Sequence, residues 1–166
     1  MRADDVIQVL DALDRAGVQY WVGGGWGVAA LAGRQTQEHR DLDLAVNAED
    51  LSSCLSALSD LGYAAETDWL PVRMELAAPC GRWVDVHPVR FGEDGHGCQA
   101  GLDGAHFDYP PSAFISGSVA RCRVNCLSAK QQRQFRTGYD HRLQNIHDLA
   151  ELDALQGLPR SQDSRC

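Results

Sequence analysis

The sequence has no long apolar run, and it has a single lysine, Lys130, among its 15 basic residues. A transmembrane helix needs about 20 consecutive apolar residues, so the sequence predicts none. A secretory signal begins with positive charge and an apolar stretch, whereas Asp4 and Asp5 stand near the start of this chain. We therefore expect a cytoplasmic protein with no membrane association.

Basic residues are too few for a general nucleic-acid surface. Lys and Arg number 15 against 23 Asp and Glu, which gives a formal net charge of -8. Such a surface repels phosphate backbones and attracts cations. We therefore do not expect nucleic acid as a partner, and we expect a cationic one.

Closely spaced cysteine pairs are also missing. None of the six cysteines has the CxxC spacing typical of structural zinc sites, and without an export signal we expect free thiols. The chain of 166 residues is 44% hydrophobic and 23% charged, which is ordinary for one globular domain. We predict a domain over residues 1–158 and a poorly ordered polar tail at 159–166.

The spacing of apolar residues predicts alternating helices and strands. In the first half we expect helices over 3–16, 26–33 and 48–61, strands over 18–22 and 41–46, and short strands over 63–89. In the second half we expect a loop or ragged hairpin over 91–112, one strand over 119–127, and two closing helices within about 128–155.

Two of the predicted strands bring three carboxylates together. In DLDLAV (41–46) the period of two puts Asp41 and Asp43 on one face, and in RWVDVHPV (82–89) it puts Asp85 and His87 on one face. Carboxylate oxygens are the ligands that Mg²⁺ prefers, and substrate phosphates commonly complete its shell. The sequence therefore predicts a magnesium site that handles phosphate.

A turn of three glycines, Gly23 to Gly25, precedes the second predicted helix. Exposed backbone N–H groups and a helix N-terminus attract phosphate oxygens. The turn is neither a Walker motif nor GxGxxG, so by itself it is also compatible with an ordinary loop. A phosphatase or a glycosyltransferase with a D-x-D pair would need different flanking residues or a larger domain, which leaves nucleotidyl transfer.

These segments occur in a characteristic order. GGGWGVAALAGRQTQEHRDLDLAV (23–46), then RWVDVHPV (82–89), resembles the small antibiotic nucleotidyltransferases of the lincosamide and aminoglycoside 2'' types, within the DNA polymerase β-like superfamily. GYDHRLQNIHDLAEL (138–152) is similar to a third family stretch, with Asn145 where the family has an acid. The resemblance implies an α+β nucleotidyltransferase fold, a twisted mixed sheet backed by helices.

The resemblance also implies roles for individual residues. Gly23 and Gly24 would contact the triphosphate, Asp41 and Asp43 would bind two Mg²⁺ ions, and Asp85 would bind the catalytic ion. Asp85 is in addition the candidate general base.

Further contacts are expected from cations and aromatic side chains. Arg40, Arg34 and Lys130 are candidates for the β- and γ-phosphates, and His39 and His87 are candidates for catalysis. Trp26 and Tyr139 are candidates for stacking on the base or the acceptor, with core packing as the favoured role of Trp26.

The function so predicted is transfer of a nucleoside monophosphate from ATP to a hydroxyl of a cationic lincosamide or aminoglycoside. A protein or RNA acceptor and a non-catalytic nucleotide-binding protein are the alternatives. We expect the 91–112 segment to cover the acceptor, and the sequence leaves open the oligomeric state, a homodimer included.

Overall fold

The computed structural model describes residues 1–136 and 143–157. The helices are α1 (Ala3–Arg15), α2 (Gly24–Ala32), α3 (Leu51–Asp60), α4 (Ala129–Arg136) and α5 (Leu143–Gly157). The strands are β1 (Tyr20–Val22), β2 (Asp41–Asn47), β3 (Ala64–Trp69), β4 (Arg73–Ala78), β5 (Arg82–Phe91), β6 (Gly97–Ala100), β7 (His106–Tyr109), β8 (Phe114–Val119) and β9 (Cys122–Leu127).

The strands form one mixed sheet. Their order is β3-β4-β5-β2-β1-β9-β8, and β6 pairs with β5 and with β7 beside this path. The β2–β5 and β1–β9 pairs are parallel, and the other pairs are antiparallel. The predicted α+β class with a mixed sheet and helices is therefore confirmed.

One face of the sheet is covered by α1, α2 and α3. The predicted apolar stripe of α1 is buried, and it packs with Leu42 and Leu44 of β2 in the main core. Leu42 and Leu44 are fully buried, and burial of each contributes roughly 1.5–3 kcal/mol. The side chains of β2 that alternate with these leucines must then point to the opposite face.

The parallel register of β2 and β5 places two acids side by side. Asp43 lies opposite Asp85 in this pair. On the helix-covered face of the same strands Val84 and Val86 are fully buried. The apolar core thus fixes the face on which both carboxylates stand, as the alternation predicted.

Two predicted boundaries were wrong. The strand expected over 119–127 begins only at Cys122, as β9, because the chain reverses at Ala120 and Arg121, with φ of 48° and 68°, after β8 ends at Val119. The second helix begins at Gly24 rather than at residue 26. Two of the three glycines therefore belong to the first turn of α2.

The segment 91–112 contains the β6–β7 hairpin, so a hairpin is the correct choice between the two predicted forms. Helix α4 lies within the predicted range of 128–155, and α5 continues past its end to Gly157. Tyr139 and the predicted tail at 159–166 lie outside the described residues. Within the described ranges, no helix has both the length and the apolar character needed to cross a membrane.

Candidate active site

A cavity of about 470 Å³ opens between the N-terminus of α2 and the polar face of β2. The loop before β2 forms one side, and the β6–β7 hairpin and the two closing helices form the other. Asp41, Asp43, the glycines 23–25 and Arg40 all lie in its wall. The structure therefore brings most of the predicted site residues into one cavity.

The glycine turn packs directly against the second acid. The N–H of Gly23 donates to the carbonyl of Asp43 at 2.9 Å. Gly24 has a φ of 56°, and a Cβ there would lie 1.8 Å from Oδ2 of Asp43. Because the first N–H groups of a helix lack intrahelical partners, this close approach places unused donors next to a carboxylate.

Asp43, Asp85 and His87 form a cluster. One oxygen of each carboxylate and one nitrogen of His87 lie within 4.8 Å of one another. Asp41, two residues before Asp43 on the same face, lines the cavity. Asp85 is only 6% exposed and lies behind the cavity wall rather than in it.

Each of these acids faces a basic side chain. Nε of Arg40 lies 3.3 Å from Oδ2 of Asp41, and NH1 of Arg73 binds Oδ2 of Asp85. Nε2 of His87 lies 3.6 Å from Oδ1 of Asp43 and 3.7 Å from Oδ2 of Asp85. The negative charge of the cluster is thus partly balanced without any ligand.

The acids differ in how readily they ionise. Burial, followed by repulsion from Asp43, raises the pKa of Asp41. Burial likewise raises the pKa of Asp85, against the opposing charges of His87 and Arg73. For Asp43 burial acts in the same sense, but His87 outweighs it and holds the pKa below its usual value. Asp43 is therefore the acid that stays ionised most readily.

Two histidines lie at the site, His87 within the cluster and His39 in the loop before β2. Burial would lower the pKa of His87, but Asp43 and Asp85 outweigh burial and raise it. His39 is buried against the ring of Trp26, with 5.0 Å between ring centroids, and burial lowers its pKa. Trp26 is itself 1% exposed, which agrees with the favoured core role rather than with stacking on a substrate.

Part of the cavity wall is apolar. Phe107 and Tyr109 of β7, Leu127 of β9 and Phe135 of α4 line it. The rings of Tyr109 and Phe135 lie 5.2 Å apart. An acceptor bound here would meet both carboxylates and aromatic rings.

Of the cations predicted to bind phosphate, only some line the cavity. Arg40 lines the cavity, but Arg34 is exposed and paired with Glu151 at 2.7 Å. Lys130 is exposed on α4 and is not among the residues of the cavity wall.

Sequence reasoning missed Arg136, the cation of α4 that does line the cavity. It is 9% exposed and donates to Oδ2 of Asp148 on α5 at 2.8 Å. The other oxygen of Asp148 accepts from Gln37 at 2.8 Å. A buried ion pair thus joins the closing helices to the loop before β2, and nothing in the local pattern of α4 distinguishes Arg136 from its other arginine.

The donor set suits a divalent cation that prefers oxygen. Asp41, Asp43 and Asp85 offer carboxylates from adjacent strands, and Oδ1 of Asp85 is buried without a hydrogen-bond partner among the described residues. An unpaired buried carboxylate oxygen is costly, and a bound cation would satisfy it.

Comparison with known proteins gives consistent matches. A family described as aminoglycoside-2''-adenylyltransferase matches residues 5–152. A lincosamide resistance protein of Staphylococcus haemolyticus is 32% identical over 151 residues, which cover 91% of this chain and 94% of that protein. A 2''-aminoglycoside nucleotidyltransferase of Klebsiella pneumoniae is 43% identical over 69 residues, 36% of this chain and 39% of that protein.

Solved structures of antibiotic adenylyltransferases are also similar to this chain. The lincosamide antibiotic adenylyltransferase LnuA, crystallised with lincomycin, has a TM-score of 0.85 at 31% identity and covers 93% of this chain and 98% of its own. The structure of ANT(2'')-Ia with adenylyl-2''-tobramycin has a TM-score of 0.76 at 19% identity, covers 93% of this chain and 89% of its own, and supports the fold alone.

Proposed function

Because this chain belongs to the aminoglycoside-2''-adenylyltransferase family and is thus an antibiotic nucleotidyltransferase, we propose that it transfers AMP from ATP to an antibiotic hydroxyl. The single observation that carries this proposal is the meeting of the glycine turn and the acids of β2 in one cavity. A triphosphate and a hydroxyl acceptor can both reach that cavity.

Asp41, Asp43 and Asp85 would hold Mg²⁺, two ions when both substrates are bound. When bound, Mg²⁺ neutralises the charge that develops on the attacking and leaving oxygens. Asp85 is now bound by Arg73, so ligation by Oδ2 would require that contact to open. Oδ1 has no such competitor among the described residues.

The triphosphate would lie against the start of α2. The N–H groups of Gly24 and Gly25 are the donors there, since the N–H of Gly23 already donates to the carbonyl of Asp43, and a helix N-terminus favours anionic phosphate. Arg40 and Arg136 line the cavity, and they would bind the β- and γ-phosphates. The role predicted for Lys130 would need a movement of its exposed side chain toward the cavity.

The proposed transfer exchanges one bond to the α-phosphorus for another. The acceptor oxygen forms a bond to the α-phosphorus while the bond from that phosphorus to the bridging oxygen of pyrophosphate breaks. The hydroxyl proton must leave the acceptor. Burial raises the pKa of Asp85, whereas the pKa of Asp43 is lowered, so Asp85 is the proposed proton acceptor. This role would require the cavity wall in front of Asp85 to open.

We expect a lincosamide as the acceptor in preference to a polycationic aminoglycoside. A relative matched over nearly the whole chain is a lincosamide resistance protein, and the cavity wall includes Phe107, Tyr109, Leu127 and Phe135 beside the acids. An amphiphilic antibiotic with one basic group suits a cavity that offers both carboxylates and apolar surface. The net charge of -8 suits any cationic antibiotic.

The test is incubation of the protein with Mg²⁺ and ATP, GTP, CTP or UTP against lincomycin and tobramycin, with mass spectrometry of the antibiotic and assay of pyrophosphate. We expect lincomycin to gain the mass of AMP and an equal amount of pyrophosphate to appear. Asp43→Asn should lower kcat by roughly 10²-fold or more, the scale of losing one electrostatic stabiliser of a transition state.

The matched control is Asp60→Asn, since Asp60 is exposed at the end of α3 and should leave the rate unchanged. If no antibiotic is modified and label from ATP is transferred to a polypeptide or an RNA instead, the proposed acceptor is wrong. Full activity of Asp43→Asn would overturn the proposed site.

A further inference from the structure

Gln99 is a buried amide that connects the acceptor side of the cavity to the acids. It is 6% exposed on β6. Its Nε2 lies 3.2 Å from Nδ1 of His87 and donates to the carbonyl of Val72 at 3.5 Å. Its Oε1 accepts from the hydroxyl of Tyr109. One side chain thus joins the β6–β7 hairpin, the β3–β4 turn and the acid cluster.

These contacts fix the orientation of the amide. The carbonyl of Val72 can only accept, so the group of Gln99 that faces it must be the NH₂. Rotation of the amide by 180° would place Oε1 against that carbonyl oxygen and would remove the acceptor of Tyr109. The nitrogen therefore faces Nδ1 of His87.

The orientation of Gln99 decides the tautomer of His87. A neutral imidazole carries one N–H and one acceptor nitrogen. Because Nδ1 receives the N–H of Gln99, Nδ1 is the acceptor and Nε2 carries the hydrogen. That hydrogen lies on the side of Asp43 Oδ1 and Asp85 Oδ2, at N···O distances of 3.6 and 3.7 Å.

We infer that Gln99 is a positioning residue that holds His87 as the Nε2–H tautomer, so that His87 is a donor toward Asp43 and Asp85 and not a metal ligand. Distances alone would permit the opposite role, since Asp43, Asp85 and His87 are close enough to share an ion. A ligating histidine usually donates its other N–H to an acceptor, and here the other nitrogen faces a donor.

A consequence concerns the choice of ion. With His87 as a donor, the protein supplies oxygen ligands only, which suits Mg²⁺ and Mn²⁺. With His87 as a ligand, the imidazole nitrogen would favour Zn²⁺, Cu²⁺ or Co²⁺. This consequence rests on the proposed function, whereas the tautomer of His87 is a property of the metal-free protein.

The first measurement is therefore long-range ¹H–¹⁵N correlation NMR of the metal-free protein, at a pH above the titration range of His87. The ring signals are assigned by their loss in His87→Gln. We expect the pattern of the Nε2–H tautomer. The Nδ1–H pattern in the wild-type protein would overturn the inference, whether or not the protein adenylylates an antibiotic.

Two variants test the part played by Gln99. In Gln99→Glu a carboxylate replaces the donor, so we expect His87 to change to the Nδ1–H tautomer. In Tyr109→Phe the two contacts of the NH₂ group remain, so we expect the wild-type tautomer. An unchanged tautomer in folded Gln99→Glu would show that Gln99 does not set it.

The second measurement is pulsed EPR of bound Mn²⁺, which detects directly coordinated ¹⁴N. We expect no imidazole ¹⁴N coupling in the wild-type protein and a coupling in Gln99→Glu. Coupling in the wild-type protein would overturn the inference. Failure to bind Mn²⁺ at all would instead contradict the proposed function, and the NMR result would still decide the tautomer.

Discussion

Gly24 shows how one absent side chain sets the geometry of the candidate site. It combines a positive φ with an approach to Asp43 that leaves no room for a Cβ. The first condition costs another residue roughly 1–2 kcal/mol, and the second would displace the carboxylate itself. The backbone conformation and the geometry of the site therefore both require glycine at this position.

We predict that Gly24→Ala reduces both stability and activity. The methyl group would force Asp43 or the start of α2 to move, so kcat should fall by roughly 10²-fold. The measurement is kcat together with the urea midpoint of unfolding.

Gly17→Ala is the matched control, because Gly17 has a φ of 70° and nothing within 4 Å of a Cβ. It should lose about 1 kcal/mol of stability from backbone strain and keep its activity. Equal kcat values for the two variants would contradict the steric argument.

At the same scale, sequence reasoning predicted the acids together with Arg40 and His87, but not Arg136 or Gln99. The shared face of Asp41 and Asp43 follows from the period of two, and the adjacent position of Asp85 follows once β2 and β5 pair. Arg136 and Gln99 reach the cavity through the packing of α4 and the β6–β7 hairpin. No local pattern encodes those long-range contacts.

At the scale of elements, the turn of the β8–β9 hairpin lacks the residues by which such turns are usually predicted. Val119 pairs with Cys122, so Ala120 and Arg121 form a two-residue turn, and both have positive φ. Such turns usually carry Asn-Gly or Asp-Gly. The missing turn residues explain why the segment reads as one continuous strand, and they leave the hairpin strained.

We predict that Ala120→Asn combined with Arg121→Gly stabilises the protein by roughly 0.5–2 kcal/mol, because these residues adopt positive φ at little cost. The urea midpoint is the measurement. Arg123→Gly on β9 is the control for loss of an arginine, and it should destabilise because glycine weakens a strand. A double variant less stable than the wild-type protein would contradict the assigned turn.

At the scale of the whole molecule, the acids of the candidate site oppose the stability that the core provides. The sheet and the main core could be predicted from apolar periodicity, and they favour folding. The acid cluster opposes it, because burial and mutual repulsion raise the pKa of Asp41. An acid that holds its proton more tightly when folded makes folding less favourable as pH rises through that interval.

We therefore predict that Asp41→Asn is more stable than the wild-type protein at neutral pH in EDTA. The difference should vanish below a pH of about 3.9, the usual pKa of Asp, where both states hold the proton. Mg²⁺ should reverse this order of stability. A bound ion present at 100 times its Kd adds about 2.7 kcal/mol to the free energy of unfolding, and the variant has lost one of the carboxylates proposed to bind Mg²⁺. Urea midpoints with EDTA and with Mg²⁺ give the comparison, with Asp60→Asn as control. A variant less stable than the wild-type protein in EDTA would mean that Asp41 stabilises the fold through its contact with Arg40.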